Sequence, residues 1–170
     1  MDPRPSQDML VTAHYGRIQR LCRFLLGDRQ EAEDVAQEVF LKAHEADWLG
    51  RPPREWGAWL TRVAVNTCRD RHRAGGWIRF RLRSDRIEDV PLTSATLAPS
   101  EAAISEATRR RIWEAFRALP RRQQEVFVLR YLDEQSTPEV AKALGLSAGS
   151  VKRHLYRAIR RLRRGLEDLR

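Results

Sequence analysis

Thr137-Pro138-Glu139-Val140-Ala141-Lys142-Ala143-Leu144-Gly145-Leu146-Ser147-Ala148-Gly149-Ser150-Val151 decides how the second half of this chain folds. Thr137 is an N-cap candidate ahead of Pro138, and residues 139–144 read as a short helix. Gly145 supplies the left-handed residue of a turn, and Ser147 caps a new helix. Along that helix Val151, Leu155, Ala158 and Leu162 face inward. Ala141, Gly145 and Val151 hold the relative positions of a helix-turn-helix: a small residue at the crossing, a glycine in the turn, an apolar anchor in the second helix. The outward face of the second helix offers Ser147 at its start, then Ser150, Lys152, Arg153, Tyr156, Arg157 and Arg160. Ala148 and Gly149 are small enough to let backbone amides approach a phosphate. A purely structural helical hairpin fits the same spacing. It leaves unexplained the 8 basic residues against 1 acidic in residues 136–164.

Upstream of this motif, Ile104, Thr108, Ile112, Ala115, Phe116 and Leu119 form one helical stripe, stopped by Pro120. Pro120 serves equally as the first residue of the next helix, which carries Val126, Phe127, Leu129, Arg130 and Leu132 to about Asp133. Residues 101–170 therefore form one small helical domain. Residues 75–100 read as a flexible linker: Gly75-Gly76 opens it, Pro91 and Pro99 punctuate it, and 92–96 has no helical periodicity. Residues 77–83 alternate apolar and basic, which fits a short strand and an amphipathic tether alike.

The N-terminal part is a second helical domain, residues 8–74. Val11, Tyr15, Ile18, Cys22 and Leu25 give a first helix from about Asp8 to Leu26 a clean apolar seam. Gly27 ends it, and Asp28 with Glu31 three residues on has the pattern of a capping box. On the second helix Ala32, Val35, Ala36, Val39, Phe40 and Ala43 make the core stripe, while Asp34, Gln37, Glu38 and Leu41 share another face. That face reads either as a solvated acidic surface or as a docking surface for a basic helix. Pro52-Pro53 breaks the chain into a stiff loop carrying Arg51 and Arg54. A third helix runs from about Glu55 to Arg73, with Trp56, Trp59, Leu60, Val63, Ala64 and Thr67 as its buried face. Arg62, Asn66, Arg69 and Arg73 line another face at 4, 3, 4 spacing. A solvated basic face accounts for them, and so does contact with phosphates and bases, which the donor-and-acceptor amide of Asn66 favours.

The expected fold is all-α: two small helical domains joined by a flexible linker, the second containing the helix-turn-helix. Charge is unevenly spread through the 170 residues. Residues 1–74 hold 12 Lys/Arg against 11 Asp/Glu, residues 75–108 hold 4 against 5, and residues 109–170 hold 16 against 7. The whole excess lies in the C-terminal third, which points to nucleic acid contacted there. No apolar run approaches the roughly 20 residues of a membrane span, and the N-terminus has no signal-like apolar segment, so a cytoplasmic protein is expected. Cys22 reads as a buried thiol. Cys68 and His72 have helical i, i+4 spacing but no further ligand pair nearby, so no metal is expected. No Gly-rich phosphate loop or nucleophile–base arrangement suggests catalysis or a cofactor.

From about residue 9 to 168 the chain resembles the extracytoplasmic-function (ECF) group of bacterial RNA polymerase sigma factors. The likeness rests on Ala32-Glu33-Asp34-Val35-Ala36-Gln37-Glu38-Val39-Phe40 and on Trp59-Leu60-Thr61-Arg62-Val63-Ala64-Val65-Asn66-Thr67-Cys68-Arg69-Asp70. It continues through Leu119-Pro120, Gln124-Glu125-Val126-Phe127, Val140-Ala141, Leu144-Gly145, Ser147, Gly149-Ser150-Val151-Lys152 and Arg157-Ala158. Order and spacing match family domains 2 and 4. The resemblance implies that Asp34, Gln37, Glu38 and Leu41 meet the β′ clamp helices of core RNA polymerase, with the β subunit as a further partner. It implies that Arg51, Arg54, Arg62, Asn66, Arg69 and Arg73 serve the −10 element of promoter DNA. Ser147, Ser150, Lys152, Arg153, Tyr156, Arg157 and Arg160 would serve the −35 element, and an anti-sigma factor would hold the protein in check. Ser150 and Arg153-His154 depart from the commoner residues of the family's reading helix. The competing assignment is a two-domain helix-turn-helix regulator binding duplex operator DNA, disfavoured because residues 1–74 lack the alternating strands of a receiver domain.

Overall fold

The computed structural model describes residues 7–50, 53, 55–74 and 106–167, and the chain divides into two compact units, Met1–Ser84 and Asp85–Arg170. The linker expectation for residues 75–100, together with Arg51, Arg54 and the Trp48 side chain, lies outside the described residues. Everything described as regular structure is helical.

In the first unit α1 (Gln7–Leu26), α2 (Arg29–Trp48) and α3 (Trp56–Ala74) each pack on the other two. The reversal between α1 and α2 takes two residues. Gly27 adopts φ 74°, and Asp28 Oδ1 accepts the Glu31 N–H at 2.8 Å, satisfying one of the open amides at the start of α2. Ile18, Leu21, Cys22, Leu25 and Leu26 meet Ala32, Val35, Ala36, Val39 and Ala43 in the core, and α3 closes it with Leu60, Ala64, Val65 and Cys68.

Two expectations change here. The α1 seam frays at its start, where Val11 is 41% exposed, and only from Ile18 onward is it sealed. The buried face of α3 is rotated from the one its large apolar residues suggest. Thr61, Val65 and Cys68 are buried, whereas Trp56, Trp59 and Val63 are only half-buried, the two indoles meeting edge to face at 5.8 Å. Thr61 tolerates full burial because its hydroxyl is satisfied twice: it donates to the Gly57 carbonyl (3.0 Å) and accepts from Arg17 Nη1 (3.1 Å). The other arm of Arg17, Nη2, donates to the same Gly57 carbonyl at 3.0 Å. At the far end of α3, His72 Nε2 donates to the Leu25 carbonyl (2.9 Å), occupying one of the carbonyls α1 leaves open at its C-terminus. Cys22 and Cys68 are buried free thiols, and no cluster of three metal-ligating side chains occurs among the described residues.

The second unit is built around its last helix. It comprises α4 (Glu106–Arg117), α5 (Arg121–Phe127) running into a π-helical turn at Val128–Leu132, α6 (Thr137–Leu144) and α7 (Ala148–Gly165). α4, α5 and α6 all pack on α7. Pro120 stands at the N-cap of α5, one position ahead of the first helical residue, with its carbonyl accepting from Gln123 and Gln124. The buried Gln124 amide turns back to donate to the Arg117 and Leu119 carbonyls (3.0 and 2.8 Å), closing the end of α4. The N-cap of α6 is Ser136, not Thr137. Glu139 bonds back to Ser136, whose hydroxyl accepts the Glu139 N–H, so the reciprocal capping box falls one residue earlier and puts Pro138 inside the first turn. Gly145 adopts φ 64°, ψ 39°, and its N–H reaches the Ala141 carbonyl, ending α6 as a left-handed cap. Ser147 then caps α7 by accepting the Ser150 N–H at 3.1 Å.

Candidate nucleic-acid interface

Two turns of α7 separate its roles. Val151 and Ala158 are fully buried against the unit, with Leu155 and Leu162 half-buried beside them. On the opposite side Lys152, Arg153, Arg157 and Arg160 are exposed, and Tyr156 is 66% exposed. At 100° per residue, the seven-residue spacing of Val151 and Ala158 puts both on one side of the helix and leaves the other to the polar residues. Ser147 and Ser150 sit at the helix start, linked by their hydroxyls at 3.0 Å, with small exposed Ala148 and Gly149 between them. Open backbone amides, small side chains and cations thus share one end of α7, where an anionic backbone can approach closely. His154 is half-buried and its Nδ1 has no hydrogen-bond partner among the described residues, so it belongs to the flank of this face rather than to its centre.

In the first unit Arg62, Asn66 and Arg73 are exposed on α3, and Arg69 beside them donates to Asn66 Oδ1 at 3.1 Å. Arg73 lies 3.5 Å from Asp70 in a fully surface pair, which screening leaves weak. The 4, 3, 4 spacing brings these four side chains to one face, as the sequence suggests.

The α2 face divides. Asp34, Gln37 and Leu41 are exposed, Leu41 at 62%, and Asp34 Oδ1 accepts only from the neighbouring Gln30 amide at 3.3 Å. Glu38 is different. Lys42 Nζ sits 2.8 Å from its Oε1 and Arg71 Nη2 3.2 Å from its Oε2, so this carboxylate ties α2 to α3. Lys42 also donates to the buried Thr67 hydroxyl at 3.2 Å. The hydrogen bond from Lys42 holds the Glu38 carboxyl below its ordinary range; partial burial opposes this and Arg71 adds to it. Sequence reading missed Arg71 because its contact with Glu38 joins residues 33 apart, whereas Lys42, at i, i+4 from Glu38, was within reach of helical spacing. Arg71 stands on the side of α3 opposite Arg62 and Arg69, which was the one available signal.

Two helical units, one with a helix-turn-helix whose outer face is cationic, define a DNA-binding transcription protein. The Sigma-70 region 2 family model matches residues 10–78, and the Sigma-70, region 4 model matches residues 109–162. The ECF RNA polymerase sigma factor SigW of Bacillus subtilis is 30% identical over 94% of this chain and 88% of its own length. The RNA polymerase sigma-E factor of Streptomyces coelicolor is 33% identical, over 96% of this chain and 82% of its own. Among solved structures, CnrH in complex with the cytosolic domain of CnrY aligns with TM-score 0.69 at 25% identity, covering 95% of this chain and 88% of that one. The sigma factor RpoE in complex with the anti-sigma factor NepR from Bartonella quintana shares the fold, with TM-score 0.67 at 21% identity over 92% and 94% of the two chains. The chain belongs to the ECF RNA polymerase sigma factors. It is a transcription initiation factor, and no helix among its described residues is long and apolar enough to cross a membrane.

Proposed function

We propose that the two units divide promoter recognition between them, the first docking core RNA polymerase and serving the −10 element, the second serving the −35 element. What supports this reading is one observation: region 2 and region 4 matches fall on separate compact units, each with a polar face of the required chemistry. Asp34, Gln37 and Leu41 form the docking face, an acid, an amide and an exposed apolar side chain suited to a basic helix of the β′ clamp. Glu38 contributes from the edge while held by Lys42 and Arg71. Arg62, Asn66, Arg69 and Arg73, with Arg51 and Arg54, contact the −10 strands: cations for phosphate, the Asn66 amide for a base edge. Ser147, Ser150, Lys152, Arg153, Tyr156, Arg157 and Arg160 meet the −35 major groove.

The protein acts in the cytoplasm as a specificity subunit with no bond-making chemistry of its own. The two solved neighbours were captured with CnrY and with the anti-sigma factor NepR, which supports an anti-sigma partner here. The test is run-off transcription with purified core polymerase and a library of genomic fragments. Initiation at defined start sites that depends on this chain is the expected result. Tight binding to duplex DNA by the isolated chain, with core polymerase left inactive, would overturn it.

A further inference from the structure

α7 is longer than base reading requires. Its 18 residues span about 27 Å, whereas the major groove is about 12 Å wide, so a helix entering that groove by its N-terminal turns carries its last turns past the groove edge. Those last turns are strongly cationic. Arg153, Arg157, Arg160 and Arg164 recur at 4, 3, 4 spacing and lie within about 60° of arc, on the side of α7 opposite Val151 and Ala158. Arg161 and Arg163 flank the stripe on either side. All of these arginines are exposed, α7 holds no acidic residue, and none of the Arg160, Arg161, Arg163 and Arg164 side chains has a hydrogen-bond or ion-pair partner among the described residues. Cations in a last helical turn also favour the helix dipole. That effect is confined to the terminal turn and needs no continuity with Arg153 and Arg157.

We propose that Arg161, Arg163 and Arg164 bind phosphodiester groups of the DNA backbone at the rim of the −35 groove, extending the footprint beyond the residues that reach bases. The proposal rests on the −35 assignment of α7. Arg164 continues the arginine stripe of the base-reading turns, and Arg161 and Arg163 border it within about 60°, which favours DNA over an acidic protein as the occupant. Contacts of this kind add affinity and salt dependence without adding sequence preference, because every base pair presents the same phosphates.

The test compares holoenzyme made with the wild-type chain and with an Arg161→Gln, Arg163→Gln, Arg164→Gln variant on a promoter fragment selected by the wild-type holoenzyme. Glutamine keeps helix propensity while removing charge. Three lost phosphate contacts lower the salt slope by about 2.7, so wild type loses roughly 40-fold more affinity than the variant between 50 and 200 mM salt. The ratio of binding to matched and mismatched −35 sequences stays the same. An unchanged slope overturns the proposal, and so does a slope change accompanied by altered −35 preference. Weakened binding of the variant to core polymerase without DNA assigns the arginines to a protein surface and also overturns it. A thermal shift with an unchanged slope reduces them to dipole partners. Absence of start-site-specific initiation by the wild-type chain overturns the underlying −35 reading and the proposal with it, and shows before any variant is made.

Discussion

The two units spend their charges in opposite ways. In the first, whose helices lie within the nearly balanced residues 1–74, basic side chains are tied across helix seams: Arg17 to Thr61 and Gly57, Arg71 to Glu38, Lys42 to Thr67, His72 to the end of α1. In the second, structural hydrogen bonding is mostly local, in the caps at Ser136, Gly145 and Ser147 and in the Gln124 clamp. An aromatic contact joins α4 to α5 there, Phe116 to Phe127 at 6.0 Å, with Trp113 and Tyr131 extending the row locally at 5.5 and 5.0 Å. The arginines of α7 are thus left over for a ligand. On the proposed division of roles, the unit that docks another protein is braced by polar ties between its helices, and the unit that grips a polyanion keeps its cations uncommitted.

The largest effect expected follows from the two-faced α7. Val151→Asp buries an unpaired carboxylate and should cost more than about 4 kcal/mol, removing the second unit's cooperative transition in urea. Arg153→Asp, two positions on, should leave that transition in place while abolishing −35-dependent initiation. Equal unfolding by both would break the comparison. Next comes the docking face. Asp34→Arg should abolish co-purification with core polymerase at unchanged thermal stability, because Asp34 is exposed and bonded only to Gln30 on its own helix. Glu38→Arg should lose both core binding and stability, since it sets a third cation against Lys42 and Arg71. Normal assembly by Asp34→Arg would remove α2 from the interface.

Arg17→Met keeps the stem but withdraws both inter-helix donors, and about 1–3 kcal/mol of first-unit stability should go with them in chemical denaturation. Arg157→Ala should lower the salt slope of promoter binding by about one unit and leave melting untouched. The smallest effect is the pH dependence of the first unit. Burial, then the nearby charge of Arg17, push His14 below its ordinary 6.5, and Glu38 is held below 4.5. In both cases the unfolded chain binds protons more readily, so stability present at neutral pH declines as pH falls below 6.5 and again below 4.5. His14→Gln should flatten the first step and Glu38→Gln the first unit's share of the second, read by thermal melts across the pH range.

Much of this organisation is legible in periodicity, and what is not has identifiable causes. The helix-turn-helix is written in local spacing, so Gly145, Ser147, Val151 and Ala158 fall where the sequence puts them. The Ser136 cap was also within reach, because Glu139 lies three residues after Ser136 and two after Thr137. The rotation of α3 was not. Two tryptophans dominate any apolar count, and nothing local reveals that Arg17, 44 residues earlier, makes Thr61 a buried residue. Glu38 shows the same limit: its place on the acidic face is readable, its bond to Arg71 is tertiary. The π-helical turn at Val128–Leu132 has no signature we can identify.

One consequence of α7 concerns how such a protein changes over generations. On the proposed reading the same helix is keel and reading head, yet its two sides share no residues: Val151 and Ala158 are buried within the unit, while Arg153, Tyr156 and Arg157 face outward. Substitutions on the outer side are therefore nearly free of folding penalties, and those on the inner side carry no information about promoters. A lineage can rewrite which genes it switches on, one outward side chain at a time, without passing through an unfolded ancestor.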